Sequence, residues 1–184
     1  SESRATPNVT VADTPRVVAP GQTFEITYAV RNTGTQNGAF TMNADTLPSN
    51  VSVIQFTGDV QAPAPDASPP RVSTVSLPAN STDTTSSVTV TYRANASVTG
   101  EQVVGVTAED PLTGSADNVS STVIIEDPTD RALQAANTSD PSQISQDDIT
   151  VAITKRDRGE QINNVAVTQD DITIMITLRD RNIR

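Results

Sequence analysis

The side chains that could do chemistry in this sequence are carboxylates, hydroxyls, amides and guanidinium groups. His, Cys and Trp are all absent from the 184 residues. Their absence excludes Ser-His-Asp and Cys-His catalysis, disulfide scaffolds, haem-type ligation and zinc fingers. The chemistry that remains is acid and base catalysis by carboxylates and metal binding through oxygen.

Two identical pairs of adjacent carboxylates, Asp147-Asp148 and Asp170-Asp171, are the candidates for acid and base catalysis. Neighbouring residues on a helix point about 100° apart, so neither pair is placed to flank one scissile bond. We interpret both pairs as solvated helix starts and predict no catalytic residue. The chain is therefore predicted not to be an enzyme, with a hydrolase that uses Asp and Glu alone as the open alternative.

The charge of the chain limits the kinds of molecule that it is expected to bind and indicates the environment in which it works. The formal net charge is −10 and the isoelectric point is near 4.3, so nucleic-acid phosphates and anionic lipid surfaces are repelled, and nucleic acid is not an expected partner. Lys155 is the only lysine, and Asp outnumbers Glu by 16 to 6. This composition resembles that of proteins from extremely halophilic archaea, whose acidic, lysine-poor surfaces stay soluble in concentrated salt. An ordinary acidic secreted domain is the alternative.

Alternation of apolar and polar residues dominates the first two thirds of the chain. Phe24, Ile26, Tyr28 and Val30 alternate with polar or small residues, as a half-buried strand requires. Strands are predicted at residues 9–12, 22–31, 39–43, 51–57, 72–77, 88–92, 102–108 and 119–125. Seven or eight short strands separated by turns predict a mainly β chain with a β-sandwich. The proline-rich stretch 61–71 is predicted to be an exposed, extended loop.

Residues 18–34, followed by residues 46–51, resemble the immunoglobulin-like cell-adhesion and cohesin-like modules of archaeal surface proteins. In those modules a Pro-Gly turn opens the second strand, as Pro20-Gly21 would here, and an Asn-Thr-Gly turn closes it, as Asn32-Thr33-Gly34 would. The resemblance implies an immunoglobulin-like or cohesin-like sandwich over residues 1–127. It also implies an extracellular or cell-surface location.

The remaining residues, 128–184, contain an internal repeat with a spacing of 23 residues, since 144–158 and 167–181 are identical at ten of fifteen positions. Alternating residues such as Ile149 and Val151 favour a strand in each copy. The ends favour a helix instead, because Ser145 suits an N-cap, Asp148 completes a capping box and Gly159 suits a C-terminal cap. We predict a pair of helices. Its facing core residues are predicted to be Ile149, Ile153, Ile172 and Ile176.

Two short amphipathic helices at this spacing resemble a dockerin, the paired calcium-loop module that docks onto cohesin-like sandwiches. The resemblance places calcium ligands at Asn137, Ser139, Pro141 and Asp148 in the first copy, and at Glu160, Ile162, Asn164 and Asp171 in the second. Neither Pro141 nor Ile162 offers a side-chain oxygen. No cofactor is therefore predicted. Calcium is the one candidate, with Asn137, Ser139 and Asp148 as its candidate ligands, and helix capping is the alternative role of Asp148 and Asp171.

Basic residues and sequons supply the other candidate sites. Arg156, Arg158, Arg179 and Arg181 at the helix ends are predicted to bind an acidic protein surface, although they also complement the helix dipoles. Sequons for N-linked glycosylation occur at Asn8, Asn50, Asn80, Asn95, Asn118 and Asn137.

Two functions follow from these features. The first is an extracellular structural or adhesion module of a halophilic archaeon that assembles by contacts between sandwich and tail, with a filament subunit as the boldest form. Its partner would be further copies of itself or another surface protein. The second is a secreted accessory module that anchors another protein or recognises glycan, with tail and sandwich paired within one chain. Ser1 is read as the start of a processed polypeptide, and no apolar run is long enough for a transmembrane segment.

The acidic composition generates a prediction about salt. Carboxylates at this density repel one another when screening is weak, so the melting temperature of the full chain should rise from low to molar salt. Circular dichroism melts across a series of potassium chloride concentrations measure this. A melting temperature indifferent to salt would contradict the halophilic interpretation.

Overall fold

Strands dominate the chain over residues 4–81 and 83–182, which are the residues that the computed structural model describes. They form a mainly β structure, as predicted, and three α-helices lie near the C-terminus. The chain divides into two compact units, Ser1–Ile125 and Glu126–Arg184. This division falls two residues before the boundary predicted after residue 127.

The first unit is a sandwich of two sheets. Its strands are β1 (Pro7–Asp13), β2 (Val17–Val18), β3 (Thr23–Asn32), β4 (Thr41–Thr46), β5 (Val51–Gly58), β6 (Val60–Ala64), β7 (Arg71–Thr74), β8 (Ser86–Ala94), β9 (Gly100–Glu109) and β10 (Ala116–Ile125). One sheet has the order β1-β3-β8-β5, and the other has the order β2-β10-β9-β4-β7-β6. All the described pairings are antiparallel except that of β2 with β10. The predicted sandwich is therefore confirmed.

The core of the sandwich lies between the inward faces of the two sheets. Alternate residues of β3, such as Ile26 and Val30, are completely buried, as the period-two pattern predicts. The hydroxyls of Tyr28 and Tyr92 lie 2.9 Å apart within this core. Burial raises the pKa of Tyr28 to about 12 and also raises the pKa of Tyr92. The two hydroxyls therefore stay protonated and satisfy each other in an apolar environment.

The prediction of a loop over residues 61–71 is wrong at its start. Residues Val60–Ala64 form the edge strand β6, which pairs with β7. The pairing is irregular between Gln61 and Ala64, and Ala62 has a left-handed φ of 49°. An edge position tolerates Pro63, which has no amide hydrogen to donate to a neighbouring strand. The prolines therefore mark an edge strand as well as a loop.

A single buried amide, that of Asn32, holds one end of the sandwich together. The Asn32 side chain donates to the main-chain oxygens of Gln36 (2.7 Å) and Leu77 (3.2 Å). Its Oδ1 accepts from the main-chain amides of Thr6 (3.1 Å) and Gly34 (3.0 Å). The side chain is 0% exposed, and both its donors and its acceptor are satisfied. It therefore joins three segments that are distant in the chain.

Gly34 allows these segments to approach each other. A Cβ at this position would lie 2.1 Å from the main-chain oxygen of Arg4. That oxygen accepts from the amide of Thr35 at 2.8 Å. Glycine is thus required by the close approach of the N-terminal segment.

The second unit contains more than the predicted pair of helices. Its elements are α1 (Pro128–Ala135), a 3-10 helix (Pro141–Gln143), α2 (Gln146–Arg158), the short strands β11 (Gln161–Ile162) and β12 (Val165–Ala166), and α3 (Gln169–Asn182). Both copies of the repeat are helical, so the helix prediction is confirmed and the strand alternative is excluded. Helix α1 and the β11–β12 hairpin were not predicted, because neither lies within the repeated residues.

The role of Asn32 is testable by exchanging its amide for a carboxylate. Asn32→Asp removes both donors and places a charge beside two carbonyl oxygens, so it should reduce the free energy of unfolding by about 3 kcal/mol or more. Urea denaturation of the full chain, followed by circular dichroism, measures this. Asn37→Asp is the matched control, because the Asn37 side chain accepts only from the amide of Ala79 (2.8 Å), a role that Asp can keep. Equal losses in both variants would contradict the assignment.

Candidate protein-binding surface of the helical unit

The two repeated helices begin in the same way. The amide of Asp148 donates to the Ser145 hydroxyl (3.1 Å), and the amide of Ser145 donates to the Asp148 carboxylate (2.9 Å). At α3 the amide of Asp171 donates to the Thr168 hydroxyl (3.2 Å), and the amide of Thr168 donates to the Asp171 carboxylate (2.8 Å). Both copies thus start with a reciprocal capping box. The second carboxylate of each Asp pair is accounted for by this structural role.

The two capping carboxylates differ in burial. Asp171 is 2% exposed, and both of its oxygens accept from the Arg131 Nε, at 3.0 and 3.2 Å. Arg131 also donates to the main-chain oxygen of Ala166 (2.7 Å) and lies 3.6 Å from the carboxylate of Glu126. The ion pair therefore joins α1 to the start of α3 and to the hairpin. Arg131 was not singled out from the sequence, because it lies outside the repeat and its partner is 40 residues away.

Helices α2 and α3 are joined by two equivalent hydrogen bonds. Arg156 at the end of α2 donates to Gln169 at the start of α3, and Arg179 at the end of α3 donates to Gln146 at the start of α2. Gln146 and Arg156 of α2 are equivalent in the 23-residue repeat to Gln169 and Arg179 of α3, so each bond is the counterpart of the other. The helices are therefore antiparallel and related by a pseudo-two-fold axis that runs through the contact between them.

The four arginines predicted to bind a partner fall into two classes. Arg156 and Arg179 contribute to the contact between the helices, and each also lies against the following carboxylate, Asp157 or Asp180. Arg158 and Arg181 are exposed and make no hydrogen bond or ion pair with another described residue. Of these four arginines, Arg158 and Arg181 are therefore the ones available to another molecule, although Arg158 also helps to lower the pKa of the Glu160 carboxyl.

The predicted facing of four isoleucines is wrong at one position. Ile149 and Ile172 are buried and Ile153 is half-buried, but Ile176 is 38% exposed. Met175 is fully buried, as is the equivalent Ala152 of α2. Both helices thus bury the same face, and Ile176 lies at the edge of the buried face of α3, which packs against α1 as well as α2.

The face beside the contact between α2 and α3 is duplicated. We define the repeat surface as the residues at four equivalent positions of each helix, spaced by four, three and four residues, so that they share one helix face. They are Gln146, Thr150, Ile153 and Asp157 on α2, and Gln169, Thr173, Ile176 and Asp180 on α3. All are exposed except the half-buried Ile153. A two-fold axis between antiparallel helices places both sets on the same side of the helix pair.

Identity between the copies is retained on this outer surface and is lost in part of the core. The residue types on the repeat surface are the same in both copies, whereas the fully buried Ala152 corresponds to Met175. Folding constrains buried positions more strongly than exposed ones. The pattern is therefore one that a requirement for surface recognition would produce.

The predicted calcium ligands have other roles. Asn137 has a left-handed φ of 55°, and its side-chain oxygen accepts from Asn163 (2.9 Å). Asn137 and Asp148 line a depression of about 340 Å³, whereas Ser139 lines a neighbouring one. In the second copy the corresponding loop is a hairpin that turns at Asn163 and Asn164. In the part of the chain described, no three acidic side chains are grouped to hold a metal. This donor set fits calcium poorly, since the ion takes six to eight oxygen ligands.

All six sequons meet the requirement of surface exposure. The exposed side chains are those of Asn8, Asn50, Asn80, Asn95, Asn118 and Asn137. Five belong to the sandwich and one to the helical unit. Their modification stays a prediction. No helix in the described ranges is long and apolar enough to cross a membrane.

No family model matches this chain, and neither does any curated protein. Similar solved structures include CaCohA2 from Clostridium acetobutylicum, at 12% identity over 65% of this chain and 90% of that one, with a TM-score of 0.40. A cohesin module of a family 33 glycoside hydrolase from Clostridium perfringens matches at 12% identity over 67% of this chain and 99% of its own, with a TM-score of 0.35.

A family 123 glycoside hydrolase from Clostridium perfringens matches at 8% identity and a TM-score of 0.44. This match covers 84% of the present chain but only 35% of the hydrolase. At these TM-scores and identities the neighbours carry no argument about function.

The burial difference between the two capping carboxylates gives a matched pair of variants. Asp171→Asn leaves the partly buried Arg131 guanidinium without its carboxylate, so the helical unit should lose about 2 to 3 kcal/mol of stability. Asp148→Asn should cost less than about 1 kcal/mol, because only an exposed cap is weakened. Thermal unfolding followed at a helix-sensitive wavelength measures both. Equal effects would show that the Arg131–Asp171 pair is not the main link.

Proposed function

We propose that this chain is a non-enzymatic extracellular module that binds protein through the repeat surface, with other copies of itself as partners. The observation that carries the proposal is the identity of the two copies at the repeat-surface positions, whereas Val151 and Lys155 correspond to Ile174 and Leu178. Gln146 and Gln169 also join the two helices, but folding alone would not need the same Thr, Ile and Asp on the outer side twice. A partner that touches both helices would need them.

The chemistry of the repeat surface suits a protein partner. Ile153 and Ile176 supply apolar area, and the flanking polar side chains supply hydrogen-bonding groups around it, which is the usual arrangement of an interface. The hydroxyls of Thr150 and Thr173 donate within their own helices, to the main-chain oxygens of Gln146 and Gln169, both at 3.0 Å. The Thr150 hydroxyl therefore remains an acceptor for a partner's donor, and the Thr173 hydroxyl, which also accepts from the Gln169 Nε2 at 3.4 Å, keeps one further lone pair.

The distribution of charge supports contacts between sandwich and tail of different copies. Residues 1–127 hold 5 Arg and 13 acidic residues, whereas residues 128–184 hold 7 basic and 9 acidic residues. The helical unit is thus the part that an acidic sandwich repels least. The exposed guanidinium groups of Arg158 and Arg181 are available for carboxylates of another copy. When two different surfaces bind each other and the rotation between successive copies does not close into a ring, the copies form an open filament.

The setting we propose is the cell surface of a halophilic archaeon. The low lysine content and the excess of Asp over Glu support it, and so do six exposed sequons, which would place glycans on a secreted protein. Pairing of tail with sandwich inside one chain, in an accessory module that anchors another protein, is the competing arrangement.

Self-association through the repeat surface is testable with one substitution. Ile176→Arg places a charge in the apolar part of that surface and should weaken association by about tenfold or more, since losing a central apolar contact costs over about 1.4 kcal/mol. Sedimentation velocity of the full chain in molar salt, over a range of protein concentrations, measures this.

Val151→Arg is the matched control. Val151 is 50% exposed on α2 but does not belong to the repeat surface. It should leave association unchanged. A wild-type chain that stays monomeric at every concentration would contradict self-association, and equal effects of the two variants would contradict the assignment to this surface.

A further inference from the structure

Two of the six sequons lie next to each other at one end of the four-stranded sheet, β1-β3-β8-β5. Strands β5 and β8 pair with Val51 opposite Ala94, and Asn50 and Asn95 follow directly outside this last pair of the ladder. The main-chain amide of Asn95 donates to the main-chain oxygen of Asn50 at 2.9 Å. The two acceptor residues are therefore neighbours.

The two side chains share one depression. It has a volume of about 450 Å³, and its lining includes Asn50, Asn95, Ser52 and Arg93. Depressions of roughly 300 to 1,000 Å³ are of the size that holds a small organic molecule. One sugar residue attached to either Asn would occupy the space beside the other. Two glycans attached here would compete for the same volume.

The two sequons differ in how their hydroxyl is placed. The Ser97 hydroxyl lies 3.2 Å from the Oδ1 of Asn95, and the amide of Ser97 donates to the same oxygen at 3.1 Å. Both bonds fix the side chain of Asn95 through its oxygen, which leaves the Nδ2 free to face outwards. For Asn50 no such bond to Ser52 is formed among the described residues. The side chain of Asn95 is thus fixed in the folded chain by the Ser97 of its own sequon, and the side chain of Asn50 is not fixed in this way.

We propose that Asn95 is the preferred acceptor of this pair for an N-linked glycan, and that its glycan keeps Asn50 unmodified. The Nδ2 of Asn95 forms a bond to the anomeric carbon of a sugar supplied by a glycosyl phosphate donor. The phosphate leaves with the electron pair of the broken carbon–oxygen bond, and a base of the transferase takes the proton from Nδ2. Transfer to the folded chain gives Asn95 the advantage of its fixed amide.

Peptide mapping by mass spectrometry of the full chain from a glycosylating host tests this inference. Wild-type protein should carry glycan at Asn95 and none at Asn50. Asn95→Gln should move the modification to Asn50, because the shared depression is then empty. Asn118→Gln is the matched control, since it removes another exposed sequon of the sandwich, and Asn50 should stay bare in it.

The outcomes separate this inference from the proposed function, on whose extracellular setting it rests. Glycan on Asn50 with Asn95 bare, or on both residues of the same molecule, overturns it. Glycan at other sequons with none at this pair also overturns it but leaves the extracellular setting intact. Absence of glycan from all six sequons overturns both. Self-association through the repeat surface is measured separately and does not depend on any of these results.

Discussion

A polar group removed from water must find its hydrogen-bond partners inside the protein, and each unit of this chain is organised around one side chain that meets this constraint. In the sandwich it is the amide of Asn32, which accepts from Thr6 and Gly34 and donates to two carbonyl oxygens. In the helical unit it is the carboxylate of Asp171, which caps α3 and binds Arg131. Apolar burial drives both units to collapse, but these two groups decide which segments meet, because other arrangements would leave them without partners.

The repeat shows how the same local sequence takes on different duties in different surroundings. Asp148 and Asp171 make the same capping box, yet only Asp171 is buried and paired with an arginine. Ile153 and Ile176 are also equivalent in sequence, yet Ile153 is half-buried and Ile176 is exposed. The antiparallel helices nevertheless keep the exchange of hydrogen bonds between Arg156 and Gln169 and between Arg179 and Gln146. The core is asymmetric and the outer surface is close to symmetric, and this contrast motivates the proposed binding surface.

The proposed role in recognition rests on the groups that the surface of the chain offers. Its carboxylates are spent on caps, turns and an ion pair, as with Asp171, or are dispersed over an acidic surface. What the surface offers is a duplicated helix face, free guanidinium groups at Arg158 and Arg181, and exposed amides that could carry glycans. In the proposed function these groups contact other copies of the chain. In the proposed glycosylation, a glycan on Asn95 keeps its neighbour Asn50 unmodified.

The sequence by itself determined the sandwich class, most of its strands and the two repeated helices. Period-two alternation around Ile26 and the cap at Ser145 are local signals, and local geometry follows from them directly. Only the tertiary structure decided that Asn32 is a buried link, that Arg131 reaches Asp171, that Ile176 is exposed and that Asn50 lies beside Asn95. Each of these depends on which distant segments pack together, and strand pairing or helix packing over tens of residues leaves no signature in a local window. The same holds for β6, whose formation depends on the neighbouring strand that completes its hydrogen bonds. Helix α1 differs, because Asp127 caps it and Pro128 starts it, and these are local signals that lie outside the repeat.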